Sequence, residues 1–302
     1  MRPRAILVSA ALLASTLFPA KSDELSGTLR KIKEIGEIKL GFRETLIPFS
    51  YLDDKQQPVG FSMDLCYAIA DAVKKRLGDK NIRTELVAVA PAARIALLAN
   101  GTIDLDCGAN TNTVERQKVV AFGDTMFITS PRYVSKKIKN LHTIDDLKGK
   151  TVVSTSGATN MKQLVEANAQ RKLGMAVLTG KDHAEGFLLV ESGRADAFAM
   201  DDILLAGFIA ASKDPNAYEI SSEAFSTPEP YGIMLRKDDA PFKSLVDQTM
   251  SALYKGPEIV ALYDKWFTKP IPPKGINLQF PIGQKLSKAF AHPTDSPDAS
   301  AY

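Results

Sequence analysis

DLDCGANTNTVERQ, residues 104–117, is the stretch on which the assignment of this fold rests. Apolar residues alternate with two aspartates, and a glycine and a row of short hydroxyl and amide side chains follow, with Arg116 close behind. The pattern predicts a strand that ends in a loop of short donors, directly before a helix start. Amides at a helix start carry partial positive charge and arginine binds both oxygens of a carboxylate, so the stretch predicts a carboxylate-binding loop. That carboxylate belongs to a ligand, a substrate or a neighbouring side chain.

Short apolar strands alternate with amphipathic helices on both sides of this stretch. The pattern predicts strands at residues 38–41, 84–89, 103–107, 151–154, 175–179 and 197–200, and helices at residues 62–77, 93–99, 160–172 and 184–192. Such alternation is typical of α/β lobes with mostly parallel sheets, in which ligands bind beyond the carboxyl ends of the strands.

A faint internal repeat favours two similar lobes. Residues 98–104, LANGTID, match residues 190–196, VESGRAD. Each copy predicts a helix that a left-handed glycine ends, followed by an aspartate that opens a strand. Each half of the chain carries one copy, and a chain of this length exceeds the usual size of a single core.

Residues 1–22 have the features of a secretory signal peptide. Arg2 and Arg4 precede fourteen uncharged residues, and Ala20 and Ser22 fit the small-residue cleavage rule. The apolar run is shorter than the roughly 20 residues of a membrane span, and a buried N-terminal helix is the alternative. We therefore expect cleavage after Ser22, export to the periplasm and no direct membrane insertion.

The composition argues against several classes of function. Without residues 1–22 the formal charge falls from +3 to 0, which leaves no electrostatic footprint for nucleic acid. The cysteines and histidines are far apart, so neither a metal nor a cofactor is expected. Cys66 and Cys107 either pair in a disulfide or remain two buried free thiols, and the sequence leaves both alternatives open.

Several polar residues stand at predicted element ends, where two lobes would form the lips of a cleft. The basic ones are Arg43, Arg94, Arg116 and His183. For each of them a solvated surface position is the alternative. Asp201 ends an apolar strand, where it binds an ammonium group or caps the next helix. Thr159 follows another small polar loop, and an N-cap is its alternative.

Five motifs, in their order and spacing, resemble the glutamate/aspartate-binding periplasmic proteins of ABC-type amino-acid importers, solute-binding protein family 3. They are GFRETLIPFSY, NGTIDLDCGANTNTVERQK, KDHAEGF, ESGRADAFAMDD and YGIMLRKDD. The resemblance implies an α/β, two-lobed periplasmic-binding-protein fold of type II. Each lobe would be a mostly parallel sheet flanked by helices, and two hinge segments would join the lobes.

The resemblance also implies how the chain divides. We expect a signal peptide at residues 1–22, lobe 1 at residues 23–129 and 232–302, and lobe 2 at residues 130–231. The hinges should lie near residues 128–132 and 227–232. The C-terminal segment contains Pro270, Pro272, Pro273 and Pro281, and residues 294–302 are polar. This composition predicts an irregular arm that lies on lobe 1 and ends in a frayed terminus.

Seven residues would bind the ligand by this resemblance. Arg116, Thr111 and Thr159 would hold its α-carboxylate, and Asp201 would hold its α-ammonium. Its side-chain carboxylate would be surrounded by Arg43, Arg94 and His183. Two arginines and a histidine around one pocket would repel one another unless an anion joins them, which favours an acidic ligand. Ala109 and Pro91 replace hydroxyl-bearing serines of the family pattern, so glutamate, aspartate and related acids stay open.

The implied function is capture of an acidic amino acid by hinge closure and its delivery to the membrane permease of an ABC importer. The protein would act as a monomer, and ATP hydrolysis would belong to a separate subunit because the chain has no GxxxxGKS loop. One alternative is a ligand sensor that feeds a membrane receptor. Another is an exported dehydratase on the same fold, with Glu44 and Asp202 as candidate acids. We expect no catalytic residues.

Overall fold

A computed structural model describes residues 25–273 and 275–302, so the predicted signal peptide lies outside the described residues. The strands are β1 (Glu37–Phe42), β2 (Thr45–Leu46), β3 (Ser50–Leu52), β4 (Pro58–Val59), β5 (Arg83–Ala88), β6 (Leu105–Asp106), β7 (Val120–Phe122), β8 (Phe127–Thr129), β9 (Pro131–Lys136), β10 (Thr151–Thr155), β11 (Ala176–Gly180), β12 (Ala197–Asp201), β13 (Tyr218–Ile220), β14 (Glu229–Tyr231) and β15 (Met234–Arg236). The helices are α1 (Gly27–Ile35), α2 (Phe61–Leu77), α3 (Arg94–Ala99), α4 (Val114–Gln117), α5 (Thr159–Gln170), α6 (His183–Glu191), α7 (Asp202–Ala211), α8 (Ala240–Lys255), α9 (Glu258–Phe267) and α10 (Gln284–Ala291). None of these helices combines the length and the apolar character that a membrane span needs.

The described residues form two five-stranded sheets, one in each lobe. The first has the order β5-β1-β6-β15-β7 and the second the order β11-β10-β12-β9-β13. Within each sheet one strand, β15 or β9, runs antiparallel to its neighbours. Both of these strands directly follow a segment that passes between the sheets, so the chain enters each new sheet in the reversed direction. The predicted two-lobed α/β fold is confirmed.

Hydrophobic periodicity placed the predicted helices and strands correctly. The face of α2 that the sequence predicts to be apolar is fully buried at Leu65, Ile69 and Val73. Gly78 then ends the helix with φ of +63°, a conformation that costs glycine little. The sequence did not predict α1, α7 to α10 or the antiparallel strands, which carry no comparable alternation with a neighbouring element.

The internal repeat has the same hydrogen-bonded geometry in both lobes. Gly101 and Gly193 adopt left-handed φ values of +75° and +77°. Asp104 and Asp196 follow, and each donates its N–H to a carbonyl of the neighbouring strand, β1 or β10. The carboxylate of each then accepts the N–H of that same strand residue at 2.9 Å. The repeat therefore marks one device, used twice, that fixes the start of an inner strand.

The segments between the two sheets pair with each other. β8 and β14 form a two-stranded antiparallel ladder, with Phe127 opposite Tyr231. Both side chains are buried among aromatic rings beneath the first sheet, where Phe49 lies 5.1 Å from Phe127 and 5.5 Å from Tyr231, centroid to centroid. The two crossing strands are thus anchored in the core of one lobe.

The C-terminal segment lies on the first lobe but does not fray. Helix α10 packs there through Phe290, whose ring lies 4.7 Å from that of Tyr254. Tyr302 is buried and its hydroxyl lies 2.6 Å from the Thr125 hydroxyl. The prediction of a frayed end was wrong because one aromatic side chain and its hydroxyl fix a segment that is otherwise polar.

The same C-terminal segment forms hydrogen bonds with the stretch at residues 104–117. The backbone carbonyl of Asp295 accepts hydrogen bonds from the side-chain amides of Asn112, at 2.8 Å, and Gln117, at 2.9 Å. Two amides of the predicted carboxylate loop therefore bind the protein's own tail.

Cys66 in α2 and Cys107 at the end of β6 form a disulfide, which decides between the two alternatives left open by the sequence. Both residues are fully buried. The bond fixes the end of β6, and hence the start of the polar loop, to the longest helix of the first lobe.

We predict that the double variant Cys66→Ala/Cys107→Ala lowers the free energy of unfolding by about 2–4 kcal/mol. The crosslink closes a loop and so reduces the conformational entropy of the unfolded chain. The 41-residue separation sets the size of that loop. Urea unfolding of parent and variant, followed by circular dichroism, measures the change. Reductant added to the unfolded parent should reproduce it, and an unchanged midpoint in both cases would contradict the prediction.

Candidate functional site

The site lies between the lobes, where residues beyond the carboxyl ends of β6, β10 and β12 meet. They line a small cavity that is partly open to solvent. Its lining residues are Arg94, Ala109, Thr111, Arg116, Ala158, Thr159, Asn160, His183, Met200 and Asp201. The structure thus brings together six of the seven residues that the sequence nominated.

Arg43, the seventh, does not line this cavity. It lies beside it, in an outer groove that shares His183. The Arg43 guanidinium is buried and donates to both carboxylate oxygens of Asp106, at 2.9 and 3.1 Å, and to the carbonyl of Val89 at 3.0 Å. Its charge is therefore already paired within the protein.

Asp106 is a residue that the sequence analysis missed. Its Oδ1 also accepts hydrogen bonds from the Gly108 N–H, at 3.1 Å, and from the Asn110 amide, at 2.9 Å. The predicted loop thus binds the carboxylate of a neighbouring side chain, that of Asp106. The available signal was its position between Leu105 and Cys107, since a carboxylate on a buried strand needs a cation and hydrogen-bond donors.

Two other arginines do face the cavity, and both donate hydrogen bonds to the same carbonyl of the second lobe. Arg94 donates to the Gly157 oxygen at 3.0 Å, and Arg116 donates to it at 3.2 Å. Arg116 also donates to the Thr111 carbonyl at 2.8 Å, which holds its side chain against the loop. Gly157 has φ of +76°, and a Cβ there would lie 2.8 Å from the Ala92 Cα of the first lobe. Glycine at this position therefore lets the two lobes touch.

Arg94 has the least compensated charge in the site. Burial lowers the pKa of its guanidinium well below the usual value, and the positive charges of Arg116 and Arg43 lower it further. Among the described residues its Nε meets no hydrogen-bond acceptor. Because arginine keeps its proton in folded proteins, this lowering expresses repulsion that a bound anion would relieve.

His183 does not add to the positive charge, contrary to the expectation from the sequence. Burial, together with the charges of Arg94 and Arg43, lowers the pKa of its imidazole to about 3. Its Nδ1 lies 2.7 Å from the Thr155 hydroxyl. At neutral pH His183 is therefore an uncharged hydrogen-bonding group on the cavity wall.

Asp201 supplies the negative charge of the cavity. It occupies the N-cap position of α7, but within the described chain its carboxylate does not cap the helix. Oδ1 accepts from the Asn160 amide at 2.8 Å, and Oδ2 accepts from the Tyr231 hydroxyl. Burial raises the pKa of this carboxyl to about 6 despite both donors. Asn160 and Tyr231 were not singled out from the sequence, since nothing in their local pattern distinguishes them.

The two threonines face each other across the cavity. Thr159 is the first residue of α5, whose N-cap is Ala158, so it does not act as the cap. Its hydroxyl lies 3.3 Å from that of Thr111 in the first lobe. With Asp201 ionised, the lining side chains carry two positive charges and one negative charge. The arrangement can hold two anionic groups and one cationic group at once.

Comparisons with known proteins give a family and several relatives of known fold or named ligand. The sequence profile of the bacterial extracellular solute-binding proteins, family 3, matches residues 38–269. The L-glutamate/L-aspartate-binding protein of Pseudomonas aeruginosa is 46% identical over 98% of both chains. The glutamate/aspartate import solute-binding protein of Escherichia coli is 42% identical over 97% of both. Among solved structures, holo ArgBP from T. maritima is 30% identical with a TM-score of 0.65, covering 78% of this chain and 98% of that one.

We predict that Asp201→Asn stabilises the folded protein at pH 8 by about 1–3 kcal/mol. Folding raises the pKa of this carboxyl from 3.8 to about 6. A carboxyl with a raised pKa destabilises the folded state above the raised value, and this cost disappears as the pH falls below the ordinary one. The gain should therefore vanish near pH 4, as thermal unfolding at both pH values would measure.

Asp202→Asn is the matched control for that prediction. The Asp202 carboxylate accepts hydrogen bonds from the Thr129 hydroxyl and from the N–H groups of Ser130 and Ile203. Its substitution should destabilise the protein at pH 8 because it disturbs a satisfied group. Equal effects of the two variants would contradict a special electrostatic role for Asp201.

Proposed function

We propose that this chain, which belongs to the bacterial extracellular solute-binding proteins of family 3, captures glutamate or aspartate and delivers it to an ABC importer. The observation that carries the proposal is the charge of the cavity. Two buried guanidiniums and one buried carboxylate leave one net positive charge on the lining side chains. An amino acid with two carboxylates and one ammonium supplies the opposite pattern, whereas a neutral amino acid leaves one guanidinium unpaired.

The polar groups suggest one orientation for the ligand. Arg116, Thr111 and Thr159 would bind the α-carboxylate, and the free N–H groups at the start of α5 would add to its stabilisation. Asp201 would bind the α-ammonium. Arg94 and the neutral imidazole of His183 would bind the side-chain carboxylate. Arg43 would act from behind this wall through its ion pair with Asp106, as a support and not as a direct contact.

Capture would occur by closure of one lobe on the other. We place lobe 1 at residues 23–129 and 232–302, lobe 2 at residues 130–231, and the hinge near residues 128–132 and 227–232. Contacts between the lobes support this assignment, because they exist only when the lobes meet. They include the Gly157 carbonyl with two arginines and an exposed ion pair between Lys162 and Glu115 at 3.1 Å. A ligand that contacts both lobes favours this closed state.

The setting that we propose for this activity is the periplasm. The basic and apolar pattern of residues 1–22 supports export by a signal peptide. The import function named for the relative from Escherichia coli supports a membrane permease as the partner of the closed form. We further propose that the protein acts as a monomer and that a separate subunit hydrolyses ATP.

Two observations favour binding over catalysis as a dehydratase. Asp202 is not among the residues that line the cavity, and its Oδ1 accepts hydrogen bonds from three donors, which leaves it poorly placed to exchange a proton with a ligand. Glu44 lies in the outer groove and not on the cavity wall. A sensor for a membrane receptor would use the same cavity, and pull-down with the permease or with a receptor domain separates these two roles.

We predict that purified mature protein, freed of ligand by unfolding and refolding, binds glutamate or aspartate with a Kd of about 1 μM or below. Isothermal titration calorimetry with a panel of acidic, neutral and basic amino acids makes the test. Glutamine and asparagine are the informative controls, since they keep the shape and remove the second charge. Tight binding of a neutral or basic amino acid, with none of glutamate or aspartate, would overturn the proposal.

We also predict different losses for the two arginines of the cavity. Arg116→Ala should weaken binding of every ligand by about a hundredfold or more, because it removes a charge-assisted pair to the α-carboxylate. Arg94→Ala should mainly reduce the preference for glutamate over glutamine. The exposed Arg83→Ala serves as the control. If both cavity variants bind like the parent, the ligand site has been misplaced.

A further inference from the structure

Tyr231 occupies a position in the fold that touches both halves of the proposed ligand site. It ends the crossing strand β14 and is fully buried. Its backbone forms an isolated antiparallel bridge with Thr111, in the loop of the first lobe. Its hydroxyl donates to Oδ2 of Asp201, in the second lobe. One residue thus connects the α-carboxylate side of the cavity to the α-ammonium side.

The ring of Tyr231 is fixed by the first lobe. It packs against Phe49 with centroids 5.5 Å apart and against Phe127 with centroids 6.1 Å apart. Met126 donates its N–H to the Tyr231 carbonyl at 2.8 Å, which holds the backbone on the neighbouring crossing strand. The hydroxyl is therefore a rigid donor that projects from the first lobe toward a carboxylate of the second.

The surroundings of Asp201 show what this donor does. Asn160 donates to the other carboxylate oxygen at 2.8 Å. Arg116 lies near enough to favour the ionised carboxylate, whereas Asp202 and, across the cavity edge, Glu229 disfavour it. Burial is the largest influence and also disfavours the ionised form. The Tyr231 hydroxyl is thus one of three groups that keep a carboxylate available for a ligand ammonium.

We propose that the Tyr231 hydroxyl is a positioning group that holds Asp201 in orientation and in its ionised form for the ligand ammonium. The inference rests on the proposed function and deepens it. It makes the crossing strand a direct part of amino-acid recognition, because the donor is carried by β14 and the acceptor by the second lobe.

The variant Tyr231→Phe tests this inference, since it keeps the ring and removes only the donor. We expect glutamate and aspartate to bind about ten- to a hundredfold more weakly, the usual effect of losing a hydrogen bond to a charged group.

The pH dependence of binding provides a second readout. Loss of the donor also makes the Asp201 carboxylate harder to ionise, so ligand binding must displace a proton from Asp201 over a wider pH range. In titration calorimetry from pH 5 to 8, affinity in the parent should fall as the pH drops below about 6, the raised pKa of Asp201. In Tyr231→Phe this fall should begin at a higher pH.

Tyr263→Phe is a matched control within the same aromatic cluster. Tyr263 is fully buried and its ring stacks on Phe267 at 4.3 Å, yet its hydroxyl has no hydrogen-bond partner in the part of the chain that the structure describes. Removing that hydroxyl should leave both the Kd and its pH profile unchanged.

The outcomes separate this inference from the function on which it rests. If the parent binds an acidic amino acid and Tyr231→Phe has the same Kd and pH profile, the inference is wrong and the proposed function stands. Weaker binding without the shift in pH would indicate a packing effect and would equally overturn the positioning role. If the parent binds neither glutamate nor aspartate, the proposed function fails and the inference fails with it.

Discussion

The buried ion pair between Arg43 and Asp106 is the interaction on which the rest of the site depends. Two charges removed from water stabilise a fold only when their remaining hydrogen-bonding capacity is satisfied, and here Val89, Gly108 and Asn110 satisfy it. The pair joins the carboxyl end of β6 to the chain beyond β1, beside the disulfide of Cys107. It therefore fixes the start of the loop that carries Thr111 and Arg116. Removing either partner would leave an uncompensated buried charge, at a cost of about 3–5 kcal/mol.

The ion pair also explains which charges remain for a ligand. Arg43 is neutralised inside the protein, whereas Arg94 and Arg116 share the Gly157 carbonyl, and Arg116 also binds the Thr111 carbonyl. Carbonyl dipoles compensate two guanidiniums only partly, and Asp201 carries the sole carboxylate among the cavity-lining residues of the described chain. The folded protein thus keeps electrostatic repulsion in one small buried region. Such repulsion is typical of a site that is complementary to an absent counter-charge, and it is the physical basis of the proposed acidic ligand.

The sequence predicted those parts of the structure that local pattern determines. Periodic apolar residues placed α2, and the repeated glycine and aspartate placed the start of two inner strands. The same information did not reveal the Tyr231–Asp201 contact or the bond between Asn112 and the tail, because each joins residues that are far apart in sequence and have ordinary local surroundings. The charge of His183 was also inaccessible, since burial between two arginines sets it. Which residues meet at the cavity was thus largely predictable from element ends, whereas protonation and pairing required the fold.

The crossing strands constrain how the lobes can move. Phe127 of β8 and Tyr231 of β14 are packed in the aromatic core of the first lobe, so these strands should move with that lobe. Bending would then concentrate where the strands adjoin the second sheet, near residues 130–131 and 227–228. On the proposed function, closure brings Asp201 toward two stationary guanidiniums. Asp201 is the only carboxylate among the cavity-lining residues of the described chain, so a ligand that adds one more net negative charge is the one that completes the closed state.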